Sequence, residues 1–276
     1  MKVIKKRMAS KKPLMMREFS GLRDLVKFIE TTPQDMGWSN HASDDYEFNY
    51  NWCGAHSYTD AKMSLMRGSN VKEIKKAISR GAGVSMKSKR TLGVIGGCPN
   101  VPMYLAGNPA CMYRVDKTRS RGAYNVFIDV SVHSGITKSE VTDAGIEILI
   151  KVLQLANQSP VNLYVGDFGM HDGKVYAHAT KIMDAGKPFN TARVSYALTE
   201  PGMLRVFGLA VIERNGQFWN TNASCGYGRP LTKYERRDAV STVFKNAICI
   251  STLEVINNDY DAFKGIDNAL TKKGER

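Results

Sequence analysis

The stretch Phe127-Ile-Asp129-Val-Ser131-Val-His133-Ser134-Gly135 sets an acid, two hydroxyls and an imidazole at what reads as the end of an apolar strand. A carboxylate and a hydroxyl two residues apart share one side of a strand, and their oxygens suit a hard divalent cation. Ser134, however, falls one residue out of that alternation, and His133 offers nitrogen where such a cation prefers oxygen. The expected role of Asp129 is therefore to cap or orient the following loop, and no metal is expected there.

Other chemistries find less support. Cys53 and His56, with His41 nearby, suggest soft metal ligands, but Cys98 and Cys111 do not complete a pair at zinc-knuckle spacing. The glycines at Gly93-Val-Ile-Gly96-Gly97 fit neither G-x-x-x-x-G-K-[ST] nor G-x-G-x-x-G, which argues against nucleotide hydrolysis. No G-x-S-x-G elbow is present, and the five histidines (His41, His56, His133, His171, His178) form no catalytic signature. The expectation is a protein without catalysis and without a cofactor.

Charge is the stronger signal. The chain of 276 residues carries a net charge of +13; residues 1–124 hold 22 Lys and Arg against 10 Asp and Glu, and the remainder 17 against 16. Cations segregated in this way repel one another unless a polyanion neutralises them. They fall into clusters: Lys5, Lys6, Arg7, Lys11 and Lys12 at the start; Lys87, Lys89 and Arg90; and Arg114, Lys117, Arg119 and Arg121, bracketed by Tyr113 and Tyr124. Cations of this kind track phosphates, and aromatics at their edges stack on unpaired bases. Without a helix-turn-helix, a zinc finger or an RNP motif, single strands are the favoured ligand over duplex. Trp52 and Trp38 offer further stacking surfaces, though an aromatic among glycines more often pins a loop to the core. The five cysteines are odd in number, scattered and without a C-x-x-C pair, as in a reducing compartment; no apolar run approaches bilayer length. Both point to the cytoplasm.

The elements that must position these groups follow from periodicity. Residues 1–17 read as a basic N-terminal arm, its first dozen residues mobile and cut off by Pro13. Residues 18–124 read as a basic region of helices (18–31, 59–66 and 71–78) followed by strands and turns broken at Pro99, Pro102 and Pro109. From residue 125 the chain reads as a near-neutral scaffold. A strand (124–132), an amphipathic helix (139–157) and a strand (161–165) form a βαβ unit whose strands should be parallel. A strand over 174–183, a helix over 191–206, a strand over 209–212, a helix over 232–246, a strand over 247–255 and a terminal helix over 260–271 complete it. The fold class is mixed α+β: a central, mostly parallel sheet flanked by helices with an irregular, basic, β-rich N-terminal half, and not an OB-fold.

Two resemblances attach to these residues. The FIDVSVHSG strand and loop, with the helix opening Thr137-Lys138-Ser139-Glu140, resembles the first strand and loop of von Willebrand factor A-type domains. That resemblance implies a divalent cation on Asp129 and Ser131, with His133 departing from the pattern, or a protein-interaction module with a degraded metal loop. The layout Trp52-Cys-Gly54, Cys98-Pro-Asn-Val-Pro102, Leu105-Ala-Gly107-Asn-Pro109 and Met112, leading into the βαβ unit, resembles a family of tailed-bacteriophage proteins. By size and basicity the chain also resembles the Drc-type proteins of virulent phages, which implies binding of single-stranded DNA and recruitment of a phage RNA polymerase in the infected bacterial cell. No residue is matched to that family's functional positions. The expectation is thus a single-stranded-DNA-binding protein, with RNA as the alternative ligand. The second half would serve as scaffold, or as a surface for a protein partner or for self-association.

Overall fold

The computed structural model describes residues 1–34, 40–68, 90–93, 98–115, 123–185, 191–214 and 231–271. Its centre is a six-stranded sheet in the order β1-β2-β8-β7-β6-β9, formed by β1 (Lys2–Arg7), β2 (Pro13–Phe19), β6 (Tyr124–Asp129), β7 (Val161–His171), β8 (Lys174–Met183) and β9 (Ala247–Ser251). Three of the five pairings, β2 with β8 and β6 with both β7 and β9, are parallel; β1 with β2 and β7 with β8 are antiparallel. The sheet is open, mixed and mostly parallel, with helices on both faces, as the alternation of strand and helix patterns requires.

The period-2 rule sorts side chains between two cores. Val126 and Ile128 of β6 face one of them, with α1 (Leu22–Thr31), α3 (Tyr58–Arg67), α5 (Lys138–Gln158) and α6 (Thr191–Thr199). Phe127 faces the other, with Leu14, Met16, Tyr164 and Phe168 beneath α8 (Lys233–Val243). Helix α5 starts where a capping box predicts: the Thr137 hydroxyl accepts from the Glu140 amide, and the Glu140 carboxylate accepts from the Thr137 amide. Two glycines permit close approach. A Cβ at Gly145 would lie 2.1 Å from the Leu198 carbonyl oxygen, and one at Gly166 would lie 1.8 Å from the His178 carbonyl oxygen.

A separate three-stranded antiparallel sheet is formed by β3 (Arg90–Gly93), β4 (Cys98–Pro99) and β5 (Met112–Val115), with the short helix α4 (Val101–Leu105) between β4 and β5. Pro102 lies in the first turn of α4, where its missing N–H costs nothing. A four-residue helix, α2 (Tyr50–Cys53), precedes α3. The expected helix over 71–78 lies outside the described residues.

Three local expectations are overturned. The first residues are strand, not a mobile arm: β1 pairs with β2 from Lys2↔Glu18 to Arg7↔Pro13, and Pro13 opens β2. Leu209–Ile212, expected as a strand, belongs to helix α7 (Leu209–Glu213), which continues a π-helical turn at Met203–Gly208. The strand expected to run to Val255 ends at Ser251, and α9 (Thr252–Ile256) begins there. A terminal helix, α10 (Lys264–Thr271), follows. Among the described residues no helix is long and apolar enough to cross a membrane.

Candidate nucleic-acid interface

Strand β1 lies at the edge of the sheet and reads K-V-I-K-K-R; only Ile4 is partly covered, against the core beneath α8. Two residues of strand rise separate Lys5 from Arg7 by about 6.6 Å on one face, a spacing comparable to that of successive phosphates in an extended single strand. Met15 and Arg17 of β2 sit on that same face by register; the Arg17 guanidinium covers the Phe28 ring at 5.0 Å.

The turn that closes the hairpin is fastened to α8. The amides of Ala9 and Ser10 donate to the Asp238 carboxylate at 3.0 and 2.9 Å, Lys12 pairs with Glu235, and the Lys6 ammonium donates to the Thr242 carbonyl at 2.8 Å. Burial raises the Glu235 pKa, but the Lys12 ammonium and the amide and hydroxyl of Thr232 outweigh it and hold the carboxyl at about 2. Burial likewise opposes, and the Ser10 and Ala9 amides outweigh it, so Asp238 is shifted below its usual value.

Of the five expected N-terminal cations, Lys6 and Lys12 thus hold the hairpin in place. Lys5, Arg7 and Lys11, joined by Lys2, are exposed and form no ion pair among the described residues. Lys11 adopts a left-handed conformation (φ 62°) in the turn and is exposed. Tyr124 is half-buried against the larger core. The strand positions of Arg90, Tyr113 and Arg114 are set by the β3–β5 register, Thr91 opposite Arg114 and Leu92 opposite Tyr113; Lys87, Lys89, Lys117, Arg119 and Arg121 lie outside the described residues, as does Trp38. Trp52 is partly buried, its ring lying 4.9 Å from the guanidinium carbon of Arg205. Tyr234 and Tyr260, at 81% and 98% exposure, stand out furthest of the aromatic side chains described. Tyr234 lies between Lys233 and Arg236-Arg237 and Tyr260 between two aspartates, both outside the three basic clusters of the first half on which the sequence reading settled.

At the end of β6 the Asp129 carboxylate is buried. It accepts from the Ser131 amide at 3.0 Å and lies 3.3 Å from Nε of Arg236, whose guanidinium also contacts Glu254 and the Leu231 carbonyl. Burial pushes the Asp129 carboxyl up to about 6 against the opposing pull of Arg236 and the Ser131 contacts. A guanidinium therefore supplies the positive charge beside this carboxylate, and among the described residues no group of three or more His, Cys, Asp or Glu is placed to hold a metal. The loop beyond is fixed by Arg205, itself buried, which donates to the carbonyls of Trp52, His133 and Ile136. His41 is paired with Glu213 and His178 with Asp167, and Cys53 and Cys111 are buried free thiols; burial raises the Cys53 thiol to about 11.

A family model described as a domain of unknown function, DUF7192, matches residues 5–274, nearly the whole chain, taking in β2 and the second half of β1. The chain belongs to the DUF7192 family. No curated protein and no solved structure matches this DUF7192 chain.

Proposed function

We propose that this DUF7192 protein binds single-stranded nucleic acid, DNA by preference, along the exposed β1 edge of the β1–β2 hairpin. The observation that carries the reading is the set of exposed cations Lys2, Lys5, Arg7 and Lys11, unpaired with described carboxylates, on a hairpin whose turn is anchored to α8. Anchoring matters because cations on an ordered strand bind phosphates without the entropic loss of ordering an arm. The same charges oppose pairing of this edge with the β1 strand of a second copy, since like charges would then face each other. An extended polyanion meets no such penalty.

Neutralising four phosphates on a single strand gives a log–log salt slope of about −2.8. A fluorescence-anisotropy titration with a single-stranded oligonucleotide should thus weaken roughly 50-fold between 50 and 200 mM salt. The double variant Lys5→Ala/Arg7→Ala should halve the slope, leaving a loss of about sevenfold. Salt-insensitive binding, or equal slopes for the two proteins, would refute the reading. Competition between matched DNA and RNA strands separates DNA from RNA through the 2′-hydroxyl. The finer reading, a phage transcription cofactor that recruits an RNA polymerase to the bound strand, is tested by whether that polymerase joins the oligonucleotide complex in a gel shift.

A further inference from the structure

We infer that the sheet face bearing Lys5 and Arg7 also receives the bases of the single strand: Met15, and beyond it Trp52 of α2, form an apolar shelf for bases whose phosphates are held by Lys5 and Arg7. This inference rests on the single-strand reading and assigns that site its apolar side.

Strand register carries the argument. Ile4, Leu14 and Met16 belong to the core beneath α8, so Val3, Lys5, Arg7, Met15 and Arg17 point to the opposite face of the sheet. On that face each rung of the hairpin sets a cation against an apolar side chain: Val3 faces Arg17, Lys5 faces Met15, and Arg7 faces Pro13. The one carboxylate of the hairpin, Glu18, lies opposite Lys2 on the other face. The middle rung continues inward, because Met15 pairs in turn with Tyr176 of β8. Neighbouring strands lie about 4.8 Å apart, so Lys5 stands one spacing from Met15 and about 10 Å from Tyr176, a span of the size of one nucleotide.

Tyr176, Leu209 and Ile212 form a small apolar cluster, and Met15 and Trp52, both half-buried, pack against it. Arg205, itself 2% exposed, fixes the indole: its guanidinium carbon lies 4.9 Å from the ring, and it donates to the Trp52 carbonyl. A ring already held in place gives up little rotamer freedom when a base stacks on it. Val3, at 43% exposure, extends the apolar strip to the outermost strand.

Charge selects the occupant. The carboxylates of the elements packed here have partners: Asp167 pairs with His178, Glu213 with His41 and Arg214, and Asp172, in the β7–β8 turn, lies 3.4 Å from the His171 ring. A second copy would set Lys5 and Arg7 against like charges, and a neutral apolar partner would leave them without counter-charge. A single strand answers both halves of the pattern, with phosphates for the cations and base faces for the shelf. A duplex keeps its bases stacked inside and answers only the first.

The test compares an oligothymidylate with an abasic oligonucleotide of the same length, which keeps the phosphates and lacks the bases. Trp52→Leu keeps apolar bulk but loses the indole face; it should weaken oligothymidylate binding roughly tenfold, and Trp52→Phe should recover most of the loss. Met15→Gln should cost roughly threefold. All three should leave abasic binding and the salt slope unchanged. Tyr234→Ala, on the helix of the opposite face, should alter neither affinity. In a Trp38→Phe/Trp219→Phe variant Trp52 is the only tryptophan; its emission should be quenched saturably by oligothymidylate and not by the abasic strand, a readout that leaves the shelf itself intact. Thermal melting of Trp52→Leu checks that it folds. Salt-dependent binding without quenching of Trp52 and without preference for the strand that has bases would overturn the shelf while leaving the hairpin reading standing. Absence of salt-dependent binding to either oligonucleotide would overturn both. A loss with Tyr234→Ala equal to that with Trp52→Leu would move the bases to the other face and overturn the shelf. So would a Met15→Gln variant that changes the oligomeric state in sedimentation with its oligonucleotide affinity unaltered, since the face would then be a contact between copies.

Discussion

Asp129→Asn offers a direct measure of the buried charge at the end of β6. The carboxyl is 1% exposed and its pKa in the folded chain is pushed up to about 6, from 3.8 without its surroundings. The folded state therefore holds this proton more tightly than the unfolded state between those two values. Stability from this group is full below pH 3.8 and declines as pH rises through 6. At 1.36 kcal/mol per pH unit the decline is about 3 kcal/mol, or roughly 6 °C in melting temperature for a chain of this size. Asparagine does not titrate and keeps an oxygen to accept from the Ser131 amide, while Arg236 retains Glu254 and the Leu231 carbonyl. Urea unfolding followed by circular dichroism at pH 4, 5, 6 and 7 should show the stability difference, variant minus wild type, growing by about 2 kcal/mol across the series, the rest of the linkage lying below pH 4. A difference that stays constant over that range would refute the account, because it would mean that Asp129 is ionised throughout and pairs with Arg236 at no net penalty.

Two further perturbations follow from the geometry. Gly166→Ala places a methyl 1.8 Å from the His178 carbonyl oxygen, a backbone atom of the neighbouring strand, so the β7–β8 ladder must separate; the expected result is a loss of several kcal/mol, read as a large fall in melting temperature. Glu235→Gln removes a carboxylate held at about 2, whose contribution is complete above 4.5 and is lost as pH falls through 2. With solvent screening, about 1 to 2 kcal/mol should disappear at neutral pH. Hydrogen exchange should report this as faster opening of the β1 and β2 amides.

Much of the fold was legible because its strongest periodicities coincide with its most buried parts. The β6–α5–β7 unit alternates or repeats over long stretches, and a capping box marks the start of its helix. Strand β1 escaped because five of its six residues face solvent: an edge strand stabilised by pairing shows no apolar alternation to read. Leu209–Ile212 misled for the opposite reason, since a short apolar run buried on all sides looks alike as helix or strand. At the candidate interface the cations were visible as charge, but their sorting was not. Whether Lys6 and Lys12 hold the hairpin while Lys5 and Arg7 stand free depends on contacts with Thr242 and Glu235, far along the chain. The exposure of Tyr234 and Tyr260 was not legible either, because a tyrosine in a charged segment looks the same whether its ring is packed or presented.

The parallel pairing of β2 with β8 has a consequence for how the chain is made. Leu14, Met16 and Phe19 leave the ribosome early, but the strand that completes their sheet begins at Lys174 and the helix that roofs Leu14 and Met16 only at Lys233. Until then the nascent hairpin holds an apolar face without its lid, and closing so long a loop is slow. In a crowded cell that interval invites aggregation, and the lysines along the open edge act as gatekeepers during it. The charges to which we assign the polyanion site also protect this strand while the rest of the molecule is still being synthesised.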